Sequence, residues 1–499
     1  MSARLPLCAI ACAASWVLAG CTTVGPDFQR PASPSPAAGY ATAGEGAPAS
    51  VRLDPEARTG GAWWQAFGSQ ALNQTMRLAL EDNPGVAEAQ ATLERFQAAE
   101  AEAGGQRKAQ AELTANAQRQ KFNSQAFGFK GGASSFPGFG TSRTFNLYSL
   151  GARVSYDLDL FGGGRRQVEE AGARTERAAR MADAAYLTLS GSVALQAMRI
   201  AGLRDEIKAI EAIAEDDRTL LGLAHRALDL GGIPRTTLTG VEVQLAEDEA
   251  ILPPLRREYE IARHRLALLV GRSPADWTAP DFDLAQMAVP AAVPVSLPSG
   301  LIRRRPDILA AEADLHAATA AIGVTIADQY PDLRLSANGA LSALSPGNVI
   351  STDSTGYTLL GGLTAPLFDG GARKARTRAA EAEARVALAR YRQTVLKAFT
   401  EVSDSLAALR SDQGELDAMV SAVAHSQQLA DDTLAAARLG ARTAGDVIQS
   451  RRQLDRDKRS LAQAQARQLG DVVGLYVASA ADWRETPTTG GAHGLSPGH

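Results

Sequence analysis

The residues best suited to metal binding or general acid–base work are the six histidines, His225, His264, His316, His425, His493 and His499. Their spacing supports neither role, because none of them forms the paired pattern of a metal site. His264 and His316 fall inside helical periodicity and read as helix-surface residues. Glu312 and Asp314 bring two carboxylates close in sequence, the pairing that general acid–base catalysis needs, yet they read as a solvated helix face. Gly162-Gly163-Gly164 has the glycine content of a phosphate-cradling loop, but no Gly-Lys-Ser/Thr follows. The pair recurs at Gly370-Gly371, which makes it a strand-to-helix junction. The chain therefore reads as a non-enzyme with no catalytic site, no metal and no bound cofactor.

Cys21 is where chemistry is expected. Arg4 precedes an apolar run from Leu5 to Leu18, too short to span a bilayer, followed by Leu18-Ala19-Gly20-Cys21. A small-residue site ending in Cys resembles the bacterial lipoprotein box, in which that Cys is acylated and becomes the N-terminus. Residues 1–20 then form a lipoprotein signal peptide, and the covalent lipid on Cys21 is the single expected prosthetic group. Cys8 and Cys12 lie within the signal, so no disulfide or cysteine metal site is left. Thr22 in place of Asp after the cysteine matches outer-membrane sorting. Residues 21–62, rich in Pro, Gly, Ala and Ser, predict an extended tether, and residues 486–499 a disordered tail.

Composition narrows the partners. Lys and Arg total 51 against 55 Asp and Glu, a net charge of −4 that gives no basic surplus for nucleic acid. Beyond the signal no run of 18 apolar residues occurs, so a membrane crossing would need a closed β-barrel.

A long pattern occurs twice. Asn83-Pro84 and Arg305-Pro306 lie 222 residues apart, and at that spacing Val86 matches Ile308, Leu93 matches Leu315, and Leu113-Thr114-Ala115-Asn116 matches Leu335-Ser336-Ala337-Asn338. Leu160-Phe161 and Gly163-Gly164 recur as Leu367-Phe368 and Gly370-Gly371 at a spacing of 207, which places a 15-residue insertion in the segment 122–143 of the first copy. Copies this long are not solenoid units and read as two pseudo-symmetric halves. The first repeat is assigned to 63–282, a linker to 283–296 and the second repeat to 297–485.

Each half is mostly helical by period. Ile200, Leu203, Ile207, Ile210 and Ala214, and later Val402, Leu406, Leu409, Gln413, Leu416, Val420 and Val423, step by 3 and 4 in a coiled-coil rhythm. Long helices are predicted over 165–230 and 372–438, and shorter ones over 72–104, 238–270, 297–329 and 446–478. Glycine stops are expected at Gly231-Gly232 and Gly440. Four alternating segments, 111–120, 144–161, 332–343 and 355–368, predict strands with one apolar and one polar face. In 144–161 Arg153, Asp157 and Asp159 fall on the polar side, as lumen-facing residues of a barrel strand. Four strands cannot close a barrel, for which about eight is the minimum, so two chains or three must contribute. The strands alone also admit a periplasmic coiled-coil scaffold whose sheets never enter lipid.

The residues then resemble a family. Trp63-Trp64-Gln65-Ala66-Phe67, Leu72 and Ala79-Leu80 before Asn83-Pro84 resemble the opening of TolC/OprM-type outer-membrane efflux channels. So do Arg304-Arg305-Pro306-Asp307-Ile308, Ala311-Glu312, Ala321-Ile322-Gly323 and Tyr330-Pro331. Leu252-Pro253-Pro254-Leu255 and Leu269-Val270-Gly271-Arg272 are similar to the NodT-type lipoprotein branch. The resemblance implies an α+β membrane protein, a homotrimer with a twelve-stranded β-barrel continued by a long periplasmic α-helical barrel, and internal duplication. It also implies the outer-membrane conduit of a tripartite system, passive itself and fed through a periplasmic adaptor by an inner-membrane pump of RND type. Gly440-Ala441-Arg442-Thr443 with Asp446-Val447 is similar to the family's periplasmic gate segment, in which an Arg locks neighbouring coiled coils and Asp rings line the constriction. Arg442 and Asp446 match by position. Gln449 stands where a second ring Asp would be, and Thr237 where some relatives carry the Asp that pairs with the Arg. The cargo is not encoded in these motifs.

Overall fold

The structure, a computed structural model, describes residues 23–32, 52–53, 61–121, 144–290, 292–293 and 298–480. Cys21, most of the expected tether, the insertion at 122–143 and the tail at 486–499 lie outside the described residues.

Helices α1 (Gln70–Asp82) and α2 (Pro84–Gln106) occupy the stretch expected as one helix over 72–104. The break follows from Pro84, which forces the preceding residue out of the helical region. Asn83 is extended at φ −70° and ψ 120°, and its Oδ1 accepts from the amides of Gly85 (2.8 Å) and Val86 (3.3 Å), capping α2. Strands β1 (Gln110–Lys121) and β2 (Thr144–Asp157) follow, then α3 (Gly163–Asp229) and α4 (Arg235–Val270). The stretch expected as one helix over 297–329 is likewise divided before Pro306, into α5 (Pro298–Arg304) and α6 (Pro306–Ala327). Then come β3 (Asp332–Ala343), β4 (Thr355–Thr364), α7 (Ala372–Arg438) and α8 (Ala444–Ala478). Helices α3 and α7 have 67 residues each, and α4 and α8 have 36 and 35. The turns α3–α4 and α7–α8 carry Gly231 at φ 71° and Gly440 at φ 74°, backbone that a side chain would strain.

The chain forms two compact units. The first comprises Met1–Arg30, Glu94–Arg177 and Glu312–Arg390. Its centre is one antiparallel sheet in the order β1-β2-β3-β4. Register aligns the faces across all four strands: Ala152 lies opposite Leu113 and Gly339, Tyr156 opposite Leu335, and Ala337 opposite Leu359. On the other face Arg153 lies opposite Glu112 and Asn338, and Asn338 opposite Thr358. A one-residue slip in any pairing would mix the two faces. The apolar face is open: Leu113 is 74%, Leu359 74% and Tyr357 84% exposed.

Along Thr23–Arg30 the segment expected as a tether instead lies against the first unit. The Val24 amide donates to the Phe161 carbonyl at 3.1 Å, and Gly25 at φ 91° sits where any side chain would collide with Gly323. Arg166, buried on α3, donates to the carbonyls of Val24 and Gly25 and pairs with Asp27 and Glu169, both at 2.7 Å. Burial works against its charge, but these two carboxylates raise its pKa above the ordinary arginine value. Phe28 stacks on His316 at 4.5 Å, and His316 Nε2 meets Glu169 at 3.0 Å. Arg30 pairs with Glu312 at 2.7 Å. Glu312 is thus a buried anchor for the strap, not the solvated face expected of it; Asp314 pairs with Arg177 at 3.4 Å.

The second unit comprises Pro31–Leu93, Ala178–Ala311 and Tyr391–His499. Its core gathers Trp63, Phe67, Leu72 and Met76 with Val193, Ile200, Val402, Val472 and Tyr476. The Trp63 ring stacks on Tyr476 at 5.2 Å. Arg305, which precedes the break before α6, explains why arginine stands there. It donates to the Ala478 carbonyl at 3.0 Å and forks onto Asp307 at 3.0 and 2.6 Å, with Glu401 of α7 at 2.7 Å. Burial opposes its charge, and the two carboxylates more than offset this, raising its pKa.

Candidate functional site

The α7–α8 turn positions the predicted gate residues. Thr443 is the N-cap of α8, and its Oγ1 accepts from the Asp446 amide at 3.2 Å. Asp446 returns the contact, its carboxylate accepting from the Thr443 amide at 2.8 Å and hydroxyl at 2.9 Å, which completes a capping box. The backbone bond from Thr443, then its hydroxyl and the nearby Arg442, hold Asp446 below the usual carboxylate range, so it is anionic at neutral pH. Arg442 is exposed, and its side chain has no hydrogen-bond or ion-pair partner among the described residues. Thr237, in the first turn of α4, is also exposed, and its hydroxyl has no hydrogen-bond partner among the described residues. Within one chain, therefore, Asp446 is tied to its own turn, while Arg442 and Thr237 are left open and are not brought together.

On the sheet, Arg153 reaches Glu112 across the β1–β2 pair at 3.5 Å, and Asp157 faces Arg334 at 3.8 Å. Both lie on the polar face of the sheet. Asp159 does not. The strand ends at Asp157, and Asp159 turns the chain at φ 45° and accepts from the Gly164 and Arg165 amides, both at 2.9 Å. It caps α3, because an anion at a helix N-terminus meets free N–H groups and the positive end of the dipole. Asp369 does the same for α7 through the Gly371 and Arg373 amides.

A charged cluster that hydrophobic period does not reveal joins α3, α4 and α8. Arg452 of α8 is 2% exposed and Asp217 of α3 fully buried, 2.7 Å apart. Asp248 of α4 meets the same guanidinium at 2.5 Å and accepts from Gln244 at 3.1 Å. Two carboxylates share one cation. Burial, then the contact with Asp248, pushes the Asp217 carboxyl up to about 6, against the pull of Arg452. The signal in the sequence was a charge on the seam: Asp217 continues the stripe Ile210, Ile213 and Ala214, and Arg452 lies four residues after buried Ile448. Asp412 of α7 is a second such carboxyl, raised to about 7 by burial and then by its neighbour Asp471. Among the described residues no group of acids, histidines or cysteines could hold a metal, and no helix is long and apolar enough to cross a membrane.

An antiparallel sheet with an open apolar face and, among the described residues, two unpaired edges, in a chain of long helices with polar turns, matches the architecture of outer-membrane channel proteins. The chain belongs to the outer membrane efflux protein family, whose model matches residues 75–272 and 297–481. It is 29% identical over 432 residues to the pyoverdine export outer membrane protein OpmQ of Pseudomonas putida, covering 85% of this chain and 89% of that one. It is 28% identical over 428 residues to nodulation protein T of Rhizobium leguminosarum bv. viciae, covering 84% and 83%. The solved structure of the outer-membrane channel OprN superposes with a TM-score of 0.80 at 27% identity, covering 93% of this chain and all of that one. The protein is an outer-membrane protein of the efflux-channel type, and its relatives are channels, not enzymes.

Proposed function

We propose that this protein is the exit duct of a tripartite efflux system, assembled as a homotrimer whose three four-stranded sheets close a twelve-stranded barrel in the outer membrane. The helices of the duplicated halves continue the duct through the periplasm to an adaptor and an RND-type inner-membrane pump, which supplies the energy. The observation that carries this reading is the sheet. Its apolar face is exposed across four strands, its polar face carries Arg153, Asp157 and Arg334, and among the described residues both edge strands lack a neighbour. Edge closure between copies satisfies the free backbone groups, which lipid cannot do. The duct closes at the glycine turns, with Arg442 and Thr237 engaging across chains and Asp446 lining the constriction. OpmQ exports pyoverdine by its name, and a related secreted metabolite is one class of cargo this duct could pass.

The test is reconstitution in planar bilayers. Purified trimers should form discrete channels, and Leu359→Arg should abolish insertion, because an arginine at mid-bilayer depth on a barrel's lipid face costs about 2–4 kcal/mol per chain. A soluble Leu359→Arg trimer that still inserts would place this face away from lipid. Cys21→Ser, exported by a non-lipoprotein signal, should lose acyl labelling yet stay membrane-embedded, since the barrel buries far more apolar surface than one lipid group. Its complete release into the soluble fraction would contradict the barrel.

A further inference from the structure

We infer that the trimer is held just below the sheet by a charge ladder, in which the acidic outer face of α2 in one copy docks against the basic outer face of α7 in the next. The inference rests on the edge-to-edge closure proposed above and adds the side chains that choose the neighbour. Topology brings these two helices together. Among the described residues the two free edges are β1 and β4. Gln110 at the start of β1 pairs with Ser155, Asp157 with Arg334, and Asp332 with Thr364 at the end of β4, so all the helix junctions leave from one end of the sheet. Joining β4 of one copy to β1 of the next therefore sets α7, which follows β4, beside α2, which precedes β1.

The facing surfaces match in charge. In α2 the side toward α3 is occupied, with the Phe96 carbonyl accepting from Thr175 at 3.1 Å. The opposite side carries Glu94, Ala98, Ala101 and Glu102, at helical spacings of 4, 7 and 8, all exposed. Neither glutamate has a cationic partner among the described residues, and Arg95 is turned onto the Phe96 ring at 4.8 Å. In α7 Thr377 faces inward, bonded to Gln329 at 2.7 Å. Lys374, Arg378 and Arg385 share an exposed face with the single acid Glu381, and none of the three cations has an ion-pair partner among the described residues. The levels agree as well. Measured from the end of each helix nearer the sheet, Glu102 and Arg378 lie about 6 and 9 Å along, and Glu94 and Arg385 about 18 and 20 Å. The alanines between the glutamates permit close helix approach, which shortens the reach of each pair.

The experiment is charge exchange in the full-length protein, with trimer dissociation followed by heated semi-native gels and light scattering, and helicity checked by circular dichroism. Glu94→Lys with Glu102→Lys, and separately Arg378→Glu with Arg385→Glu, should each lower the dissociation temperature by about 5 °C or more. All four changes together should restore it, because the attraction is then merely inverted. Trimers in which the losses add instead of cancelling would overturn the ladder while leaving the closure intact. Losses that anionic phosphatidylglycerol alone modulates would also overturn it, assigning the α7 stripe to lipid headgroups. A wild-type protein that never forms trimers would overturn the closure reading itself.

Discussion

Arg452→Ala is expected to cost about 3–5 kcal/mol of stability at pH 7.5, the largest effect of any single change near the turns. Removing the guanidinium leaves Asp217 and Asp248 buried against each other without a counter-charge. The cost should shrink at pH 5, where Asp217 can take up a proton. The same cluster makes wild-type stability depend on pH, with a definite sign. Burial raises the folded pKa of Asp217 to about 6, above the ordinary aspartate value, so the folded state binds its proton more tightly than the unfolded chain. Its contribution is therefore fully present below about pH 4 and is lost as pH rises through 6. Asp412, raised to about 7, acts in the same direction and extends the window upward. Asp217→Asn, a neutral mimic that leaves Arg452 paired with Asp248, should raise stability at pH 7.5 by an amount on the order of 2 kcal/mol and flatten the slope between pH 4 and 6. Urea unfolding of detergent-solubilised trimers across pH 4–8 measures both. A wild-type curve that rises from pH 5 to 7.5 would contradict the assignment.

Arg442→Ala should raise single-channel conductance severalfold and sensitise cells to large antibiotics. The guanidinium is exposed and has no hydrogen-bond or ion-pair partner among the described residues, which leaves it available to a neighbouring chain in the proposed trimer. Charge-assisted hydrogen bonds contribute about 1.5–3 kcal/mol each, and three of them around the threefold axis proposed above would make closure the dominant state. Asp446→Asn should act differently. Asparagine keeps an acceptor for the Thr443 amide, so the cap survives, while the proposed trimer loses three negative charges at its proposed constriction. Cation selectivity and block by multivalent cations should fall with little change in conductance. If both variants assemble and conduct like the parent, Arg442 and Asp446 serve only the turn and the gate lies elsewhere.

Helix and strand content was legible in the sequence because it is set by local period. The segments expected at 332–343 and 372–438 are β3 and α7 residue for residue, and the glycine stops fall at Gly231 and Gly440. The two faces of the sheet were legible for the same reason, since alternation along each strand dictates which register buries like with like. Even the breaks at Asn83-Pro84 and Arg305-Pro306 were written in the residues, although the helices were expected to run through them.

Long-range partnership was decided only by tertiary structure. Asp159 alternates in sequence as a strand residue, yet two free amides of α3 capture it as a cap. Glu312 looks solvated until Arg30 is folded onto it from 282 residues away. Asp217, Asp248 and Arg452 come from three helices, and each alone is an ordinary charged residue. A hydrophobic period depends on neighbours three or four residues apart, which the chain states directly. The energy of a buried charge depends on what surrounds it in space, which exists only once the helices have packed.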